Sequence, residues 1–416
     1  MLLKIIEHEI KSVILAEKSG YKEGILSINP QECKVALTSQ VSYDYDIEFA
    51  IAKPGECKRI IHVTDIIRPS YKESEGNFPG WISNSSTGCG MGTTHQAANL
   101  CITQSFCYPG IQEGIIDLFL PGANYSVFSK NIHLVIVIKL LKEKVSKEIL
   151  AKDLIQMNVQ AAVYIGSILA EETDGREFIY DNQSEMEGLP KIGYAYFIQA
   201  QGPLRNVHYM GENCVQMQPR LVEPQKILDG AIVSGNYIIA CQKNPTYLHQ
   251  RNPVIDELFS LHGKSLLFQG VIISTESSSL EQKQENAKKI AEIAKELCMD
   301  GILVTQEGGG HADVDLMTTC DACEEKGIKT VLLSNEIAGT KGELPPLVAN
   351  SNRADAVVST GNNDEVIRLP KAETVIGYPA FIQQTKDAHN ELTTPLGIMY
   401  TSTNQLGATA MTTEVY

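Results

Sequence analysis

The stretch Ser265-Leu-Leu-Phe-Gln-Gly-Val-Ile-Ile-Ser274 is an apolar run typical of a buried β-strand. In Leu280–Leu297, which follows, apolar residues recur at helical spacing, and Gly301–Thr305 is a second apolar run. A helix over Val314–Lys326 and a strand over Thr330–Ser334 repeat the unit, and a further strand is expected at Ala356–Ser359. Such strand–helix–strand alternation predicts a parallel sheet with right-handed crossovers.

The first half mixes short strand patterns with one clear helix pattern, over Ser146–Met157. Short strands are expected at Val13–Ala16, Gly24–Ile28, Val35–Leu37, Ile47–Ala52, His133–Lys139, Ala161–Ile168 and Ile192–Gln199. We therefore predict an α/β protein with a β-rich and α/β N-terminal part, residues 1–225, and a doubly wound, mainly parallel-sheet C-terminal domain, residues 226–416. The boundary falls between Glu223 and Asp229, near Pro224.

Composition excludes two classes of function. The 416 residues are 43% hydrophobic and 20% charged, with a formal net charge of −15, and no basic stripe offers a surface to nucleic acid. No apolar run is long enough to span a bilayer. The first nine residues include Lys4, Glu7 and His8 and lack the apolar core of a signal peptide, so we expect a cytoplasmic protein.

Ten cysteines are scattered without a repeating framework, as expected of buried thiols in a reducing compartment. The pair Cys320-Asp-Ala-Cys323 has the spacing of a redox motif or of half a zinc site. No second such pair and no paired histidines follow, so a tetrahedral zinc site lacks ligands, and we predict no metal. The pair lies inside a predicted helix, so the remaining roles for the two cysteines are packing in the core or relaying a thiol in redox chemistry.

The run Gln306-Glu-Gly-Gly-Gly-His311-Ala-Asp313 follows a predicted strand and precedes a helix. Ligands of open α/β sheets bind beyond the carboxyl ends of the strands, where helix N-termini and glycines admit anions. The predicted substrate-binding residues are Glu307, Gly308, Gly309, His311 and Asp313. The alternative is a plain connecting loop in which Asp313 caps the helix.

Several blocks of the chain, in order, resemble one family over essentially residues 1–416. The family is the proprotein subunit of component B of the glycine/sarcosine/betaine reductases. The blocks are Phe78-Pro-Gly80, Gln112-Glu-Gly-Ile-Ile-Asp117, Asp229-Gly-Ala-Ile-Val-Ser-Gly-Asn236, Ala240-Cys241, Lys243-Asn-Pro-Thr-Tyr247, Asn252-Pro-Val-Ile255, Gln306-Glu-Gly308 and Gly327-Ile-Lys-Thr-Val331.

The resemblance implies a precursor that is cut at an Asn–Cys bond, where the cysteine becomes a pyruvoyl group. It implies a small amino-acid or betaine substrate, a selenoprotein subunit of component B as partner, and transfer of a carboxymethyl group to the selenoprotein of component A. Component C then releases acetyl phosphate. Such reductive deamination, with a disulfide as acceptor, belongs to the Stickland fermentation of anaerobes.

The chain departs from this pattern at the cut, where Asn236 is followed by Tyr237. Pyruvoyl formation needs a heteroatom on Cβ to attack the preceding carbonyl and then be eliminated, and tyrosine carries a ring carbon there. The pyruvoyl group therefore cannot form at this position. Cys241 and the Asn213–Cys214 dipeptide are weaker candidates for cleavage, and Asn236, Tyr237 and Cys241 remain the predicted catalytic residues.

Three functions stay open. The chain is a catalytic component B-type subunit for a substrate that needs no imine, such as betaine. Alternatively, it is an uncleaved scaffold or regulatory paralogue of that complex, or it catalyses an unrelated small-molecule reaction at the strand-end loop. Because the strand-end rule and the resemblance point to the same domain, we expect Tyr237 and Glu307 to share one cleft.

Overall fold

The computed structural model describes residues 2–74, 77–81, 88–107, 114–142, 144–172, 174–184, 186–200, 206–235, 243–377, 387–409 and 412–413. Within these ranges the helices are α1 (Pro30–Thr38), α2 (Lys147–Leu169), α3 (Pro224–Leu228), α4 (Thr246–Gln250), α5 (Pro253–Leu261), α6 (Leu280–Glu296) and α7 (His311–Glu325). Short 3₁₀ helices span Gly122–Asn124, Val127–Lys130 and Leu396–Ile398.

The strands up to residue 181 are β1 (Leu2–Glu9), β2 (Ser12–Leu15), β3 (Gly20–Lys22), β4 (Ile25–Ile28), β5 (Tyr45–Ala52), β6 (Lys58–Ile60), β7 (Val63–Ile67), β8 (Ser70–Lys72), β9 (Gly92–Ala98), β10 (Leu100–Ser105), β11 (Ile116–Asp117), β12 (Ile132–Leu140) and β13 (Arg176–Asp181). The later strands are β14 (Lys191–Ile198), β15 (His208–Tyr209), β16 (Glu212–Asn213), β17 (Arg220–Val222), β18 (Ile232–Val233), β19 (Leu267–Thr275), β20 (Gly301–Thr305), β21 (Lys329–Glu336), β22 (Val357–Asn362), β23 (Val366–Leu369), β24 (Thr374–Ile376), β25 (Leu392–Pro395) and β26 (Thr412–Thr413).

A seven-stranded sheet organises the second half, in the order β17-β19-β14-β20-β21-β22-β26. Its five central strands are parallel, and β17 and β26 are antiparallel edges. One face is covered by α6 and α7 through Ile290, Ala294, Leu316 and their neighbours. The other face packs in a second core that includes α4 and α5. The predicted α/β fold with a mainly parallel C-terminal sheet is confirmed.

Strands from both sides of the predicted boundary at 225/226 share this sheet. Strand β14 lies between β19 and β20 and pairs in parallel with both. In the other direction, β24 pairs in parallel with β6 of the first half. The chain thus crosses between the two regions several times, and the boundary remains a prediction about sequence regions.

Two four-stranded sheets make up most of the first half, ordered β13-β1-β9-β8 and β5-β12-β10-β7. Helix α2 packs against strands of both and is buried along most of its length. The predicted strand over Ala161–Ile168 is wrong, because these residues continue α2. A helix buried on several sides is apolar on several sides, so its pattern resembles that of a buried strand.

The predicted strand over Val35–Leu37 is also wrong, because it lies in α1. Asn29 caps this helix by accepting hydrogen bonds from the backbone N–H groups of Gln31 and Glu32, and Pro30 occupies the first helical turn. These start signals outweigh the β-propensity of the short apolar segment.

Candidate functional site

Buried polar residues collect where the parallel strands end. Glu276 follows β19, Gln306 and Glu307 follow β20, and Asn335 lies near the end of β21. All four are at most 2% exposed. Because parallel strands end at one edge of the sheet, residues far apart in sequence meet here.

Glu307 is the centre of this cluster and is fully buried. Its Oε2 accepts the backbone N–H of Gln199 at 2.9 Å, and its Oε1 accepts that of Asn244 at 3.3 Å. Its own N–H donates to Glu276 Oε1 at 2.9 Å. Burial raises the pKa of Glu307 to about 7, against the opposing effects of these donors and of Lys243. This carboxyl group can hold or release a proton near neutral pH.

Lys243 is the cation of the cluster and is also fully buried. Its Nζ donates to Gly235 O at 2.8 Å and lies 3.5 Å from Asn206 Oδ1. Burial lowers the pKa of Lys243 to about 8, while the charges of Glu307 and Asp65 act to raise it. Lys243 and Glu307 are therefore two opposite charges that titrate close to neutrality.

His249, on α4, lies beside them with no exposed surface. Its Nδ1 is hydrogen-bonded to Tyr196 OH at 2.8 Å, and Asn244 Nδ2 donates to the same hydroxyl at 2.9 Å. The Nε2 atom is 3.8 Å from Glu307 Oε1, beyond hydrogen-bond distance. Burial and the nearby Lys243 lower the pKa of His249 to about 3, so the imidazole is neutral.

Two further elements close the cluster. Asp65 on β7 accepts the backbone N–H of Thr246 at 2.9 Å and its hydroxyl at 2.8 Å, and burial raises the Asp65 pKa to about 7. Near the C-terminal end, Gln405 Nε2 donates to Gly308 O at 2.6 Å, and Asn404 Nδ2 donates to Asn244 Oδ1 at 2.5 Å. The site is assembled from both halves of the chain.

The five predicted substrate-binding residues differ in where they lie relative to the cluster. Glu307 lies in the cluster. Gly308 lies next to it with φ +88°, and a Cβ there would meet Gln199 Nε2 at 2.9 Å, so the position favours glycine. Gly309 is half-buried and His311 is exposed.

Asp313 serves the protein itself, as the alternative interpretation expected. It accepts hydrogen bonds from Gly310 N, Gln306 Nε2 and Val348 N, which caps α7 and ties down the loop after β21. Its carboxylate oxygens are thus occupied by protein donors.

The predicted catalytic residues Asn236, Tyr237 and Cys241 lie outside the described residues. The two residues that border this segment, Gly235 and Lys243, are joined by a hydrogen bond of 2.8 Å. Lys243 interacts electrostatically with Glu307, so both ends of the segment lie at the cluster. A shared cleft for Tyr237 and Glu307 stays a prediction.

The sequence alone does not indicate Lys243, Asn244, Tyr196 and Asp65 as residues of the candidate site. The first two belong to the Lys243–Tyr247 block, directly after the segment around Tyr237. That adjacency was the available signal. Tyr196 lies in the predicted strand Ile192–Gln199 and Asp65 lies in no predicted element, and nothing in the sequence distinguishes a buried polar group from a solvated one at either position.

The cysteine candidates within the described ranges, Cys214, Cys320 and Cys323, are buried. Burial raises the thiol pKa of Cys214 to about 12, which disfavours the nucleophilic thiolate. Cys320 and Cys323 lie in the α7 core, unpaired by a disulfide, with Cys320 Sγ 3.2 Å from Thr330 Oγ1. Their placement fits helix packing. Over the described ranges, no cluster of three or more His, Cys, Asp or Glu side chains is arranged to hold a metal.

The model of the family described as glycine/sarcosine/betaine reductase component B subunits matches residues 1–414. This chain belongs to that family. It is 36% identical, over 92% of its length and 90% of the relative, to the glycine reductase complex component B subunits alpha and beta of Peptoclostridium acidaminophilum. The sarcosine reductase complex component B subunit alpha of the same organism is 33% identical, over 92% and 91%.

The betaine reductase complex component B subunit alpha of Peptoclostridium acidaminophilum is 34% identical, over 91% of this chain and 88% of the relative. No solved structure matches the chain. These component B relatives are by name parts of reductase complexes, which supports a complex as the setting of this chain. None of the helices within the described ranges is long and apolar enough to cross a membrane.

The pyruvoyl group expected of this component B family does not fit the chain at Tyr237. A phenol ring on Cβ supplies neither the attacking heteroatom nor the leaving group, so a pyruvoyl carbonyl at this position cannot take part in catalysis. What the described residues offer instead is acid–base and charge chemistry at Lys243, Glu307 and His249.

Proposed function

We propose that this chain is a component B-type subunit that binds a small amino acid or betaine-like zwitterion between Lys243 and Glu307. The bound molecule would undergo reductive C–N cleavage with a selenoprotein partner. The observation that carries the proposal is the buried pair itself: two opposite charges, both fully buried, that act on each other electrostatically.

Charge complementarity favours a zwitterion over a singly charged ligand. A buried charge is costly unless an opposite charge or strong hydrogen bonds accompany it. The neighbours that donate to Glu307 and accept from Lys243 are neutral backbone and amide groups. A ligand ammonium near Glu307 and a ligand carboxylate near Lys243 would give each charge a direct partner of opposite sign, in addition to their mutual attraction.

The loss of the pyruvoyl carbonyl favours one kind of zwitterion. In the proposed step, the partner's selenolate attacks the carbon that bears nitrogen, so that a C–Se bond forms as the C–N bond breaks. The nitrogen leaves with the bonding electron pair as a neutral amine. A quaternary ammonium needs neither an imine nor a proton to leave, and a betaine-like substrate is therefore expected to react best.

For a substrate with a protonated amine, Glu307 has a second role. Its carboxylate would hold the ammonium group and keep it protonated until the C–N bond breaks. His249, neutral and hydrogen-bonded to Tyr196, would line the site beside Glu307, with its Nε2 3.8 Å from Glu307 Oε1. Glu307 directly follows strand β20 and His249 lies on helix α4, and regular elements of this kind hold side chains rigidly.

A second candidate function rests on Tyr237 alone. Without a pyruvoyl group, the chain could be an uncleaved scaffold or regulatory paralogue of the complex. In either case we propose that it acts in the cytoplasm, with the selenoprotein subunit of component B and the selenoprotein of component A as partners. The scaffold would bind these partners, but it would not need the Lys243–Glu307 pair for its role.

Reconstitution of the complex distinguishes the catalytic subunit from the scaffold. The chain is mixed with the selenoprotein fractions of its native complex, and release of trimethylamine from betaine, methylamine from sarcosine and ammonia from glycine is measured. The proposal expects betaine-dependent release that Glu307→Gln abolishes. The matched control Glu325→Gln, at an exposed carboxylate, retains it. Release that is unchanged in Glu307→Gln, or complex formation without any release, favours the scaffold.

A further inference from the structure

Three lysines are buried among the described residues, and Lys243 differs from the other two. Lys72 donates to Asp229 Oδ2 at 2.5 Å, and Lys283 is hydrogen-bonded to Asp315. Each of these lysines therefore has a direct carboxylate partner. Lys243 contacts only oxygens of neutral groups, Gly235 O and Asn206 Oδ1, within the part of the chain that the structure describes.

The lack of a direct carboxylate partner allows the Lys243 amine to be neutral. A carboxylate in direct contact holds a lysine in its charged form, whereas a buried lysine without one loses its proton more readily. Burial lowers the pKa of Lys243 to about 8 even though Glu307 and Asp65 act to raise it. A neutral amine in a site closed to bulk water is a nucleophile, which is how lysines form imines with carbonyl compounds.

Two residues next to the contacts of this amine carry polar atoms without partners. Within the described ranges Asn206 Nδ2 and Ser234 Oγ are buried and make no hydrogen bond. Asn206 holds its Oδ1 3.5 Å from Lys243 Nζ, and Ser234 precedes the carbonyl that accepts from Lys243. Unpaired buried donors are costly, so they indicate a place where a ligand or water supplies oxygen acceptors.

We propose that Lys243 forms an imine with a small 2-oxo acid, with the ligand's carboxylate oxygens accepting hydrogen bonds from Asn206 and Ser234. This activity goes beyond the proposed function and uses the same site. It requires only a carbonyl compound of the size of glyoxylate or pyruvate and no oxidant or reductant.

The Nζ lone pair attacks the carbonyl carbon, so that a C–N bond forms and a proton moves from nitrogen to oxygen. The carbinolamine then loses its hydroxyl group as water when Glu307 donates a proton, and the C=N bond forms. Glu307 is suited to this because burial keeps part of its population protonated near neutral pH.

Borohydride trapping tests the proposal on the unaltered chain. The folded protein is incubated at pH 8 with glyoxylate or pyruvate and then with sodium borohydride, which reduces an imine to a stable secondary amine. Peptide mass mapping locates the adduct. We expect Lys243 to be labelled at least about tenfold more than Lys72 or Lys283, the matched buried lysines. Acetate, which has the carboxylate but no carbonyl, should label none.

Two outcomes would overturn the inference: labelling confined to exposed lysines such as Lys329, or labelling of Lys243 only after unfolding in urea. Because the mapping uses the unaltered chain, it does not depend on whether Lys243→Arg folds. If that variant is folded, it should show no adduct at position 243. Trapping needs no reductase turnover, so the absence of an adduct would not count against zwitterion binding. Likewise, the absence of zwitterion binding would not count against imine formation at Lys243.

Discussion

Asn244 donates its backbone N–H to Glu307 Oε1 at 3.3 Å and so joins the residues after segment 236–242 to the loop after β20. Asn404 in turn donates to the Asn244 side chain. The candidate site therefore depends on three stretches of chain that are remote in sequence. A substitution in any one of these stretches should alter the hydrogen bonds that hold Glu307.

The first prediction concerns pH. The pKa of Glu307 is raised from 4.5 to about 7 in the folded protein. The folded state thus binds more protons than the unfolded state between these values, and stability falls as pH rises through this window. Glu307→Gln cannot ionise, so its thermal midpoint should fall less between pH 5 and 7 than that of the unaltered chain. Asp65, also raised to about 7, keeps part of the slope.

Thermal unfolding followed by circular dichroism at a series of pH values measures this effect. Glu325→Gln, at an exposed carboxylate, should reproduce the slope of the unaltered chain. Equal slopes in Glu307→Gln and the unaltered chain would show that Glu307 ionises normally.

The second prediction concerns processing. Since Tyr237 cannot undergo the acyl shift, the chain should have an intact mass of 45.6 kDa by mass spectrometry. Two products that end and begin at the Asn236–Tyr237 bond, one of them reactive with hydrazine, would contradict the chemical argument. Tyr237→Cys supplies the missing heteroatom, and cleavage in that variant alone would show that the surrounding fold still promotes it.

The third prediction concerns the two halves. Strand β14 is inserted between β19 and β20, and β24 pairs with β6, so a cut in segment 236–242 should not separate the fragments. A specific-protease site inserted there, followed by cleavage, should leave both fragments in one peak on size-exclusion chromatography. Separate elution without denaturant would contradict the observed strand order.

The fourth prediction concerns the buried Arg59–Asp117 ion pair, whose arginine also bonds to the C-terminal region. Arg59 donates to both carboxylate oxygens of Asp117, at 2.6 and 2.8 Å, and also to Ala388 O and Pro370 O. Arg59→Met should lower the free energy of unfolding by about 3–5 kcal/mol, because Asp117 is left buried without a partner.

Denaturant unfolding measures this loss, and an exposed ion pair provides the control. Lys4→Met removes the Lys4–Glu177 pair and should cost at most about 1 kcal/mol. If the two variants lose equal stability, the buried pair does not have the role assigned to it.

Local signals explain the part of the fold that could be predicted. Gly301–Thr305 is a strand at its predicted bounds, and the α6 pattern was recognised within one residue. In contrast, the insertion of β14 between β19 and β20 depends on pairing between residues that are far apart in sequence, such as Lys191 with Leu267 and Ile192 with Gly301, and no local pattern encodes it. Ala161–Ile168 was misread because a buried helix and a buried strand share an apolar run.

The site could be predicted only where the strand-end rule applies. That rule selects Glu307, which lies in the buried cluster, but also Asp313, which caps α7, and His311, which is exposed. The rule does not select Lys243, which becomes a candidate because it is buried, and burial lowers its pKa. Burial follows from the tertiary fold, and a single sequence does not reveal it for an isolated lysine.

Calorimetric titration of betaine into the purified chain at pH 7 tests the central claim, that Lys243 and Glu307 bind a zwitterion, most directly. The account predicts measurable binding that is lost in Glu307→Gln and in Lys243→Met and retained in Glu325→Gln, with sarcosine and glycine binding in the same site. Betaine binding of equal affinity in the unaltered chain and in folded Glu307→Gln would contradict it, as would the absence of binding for all three ligands.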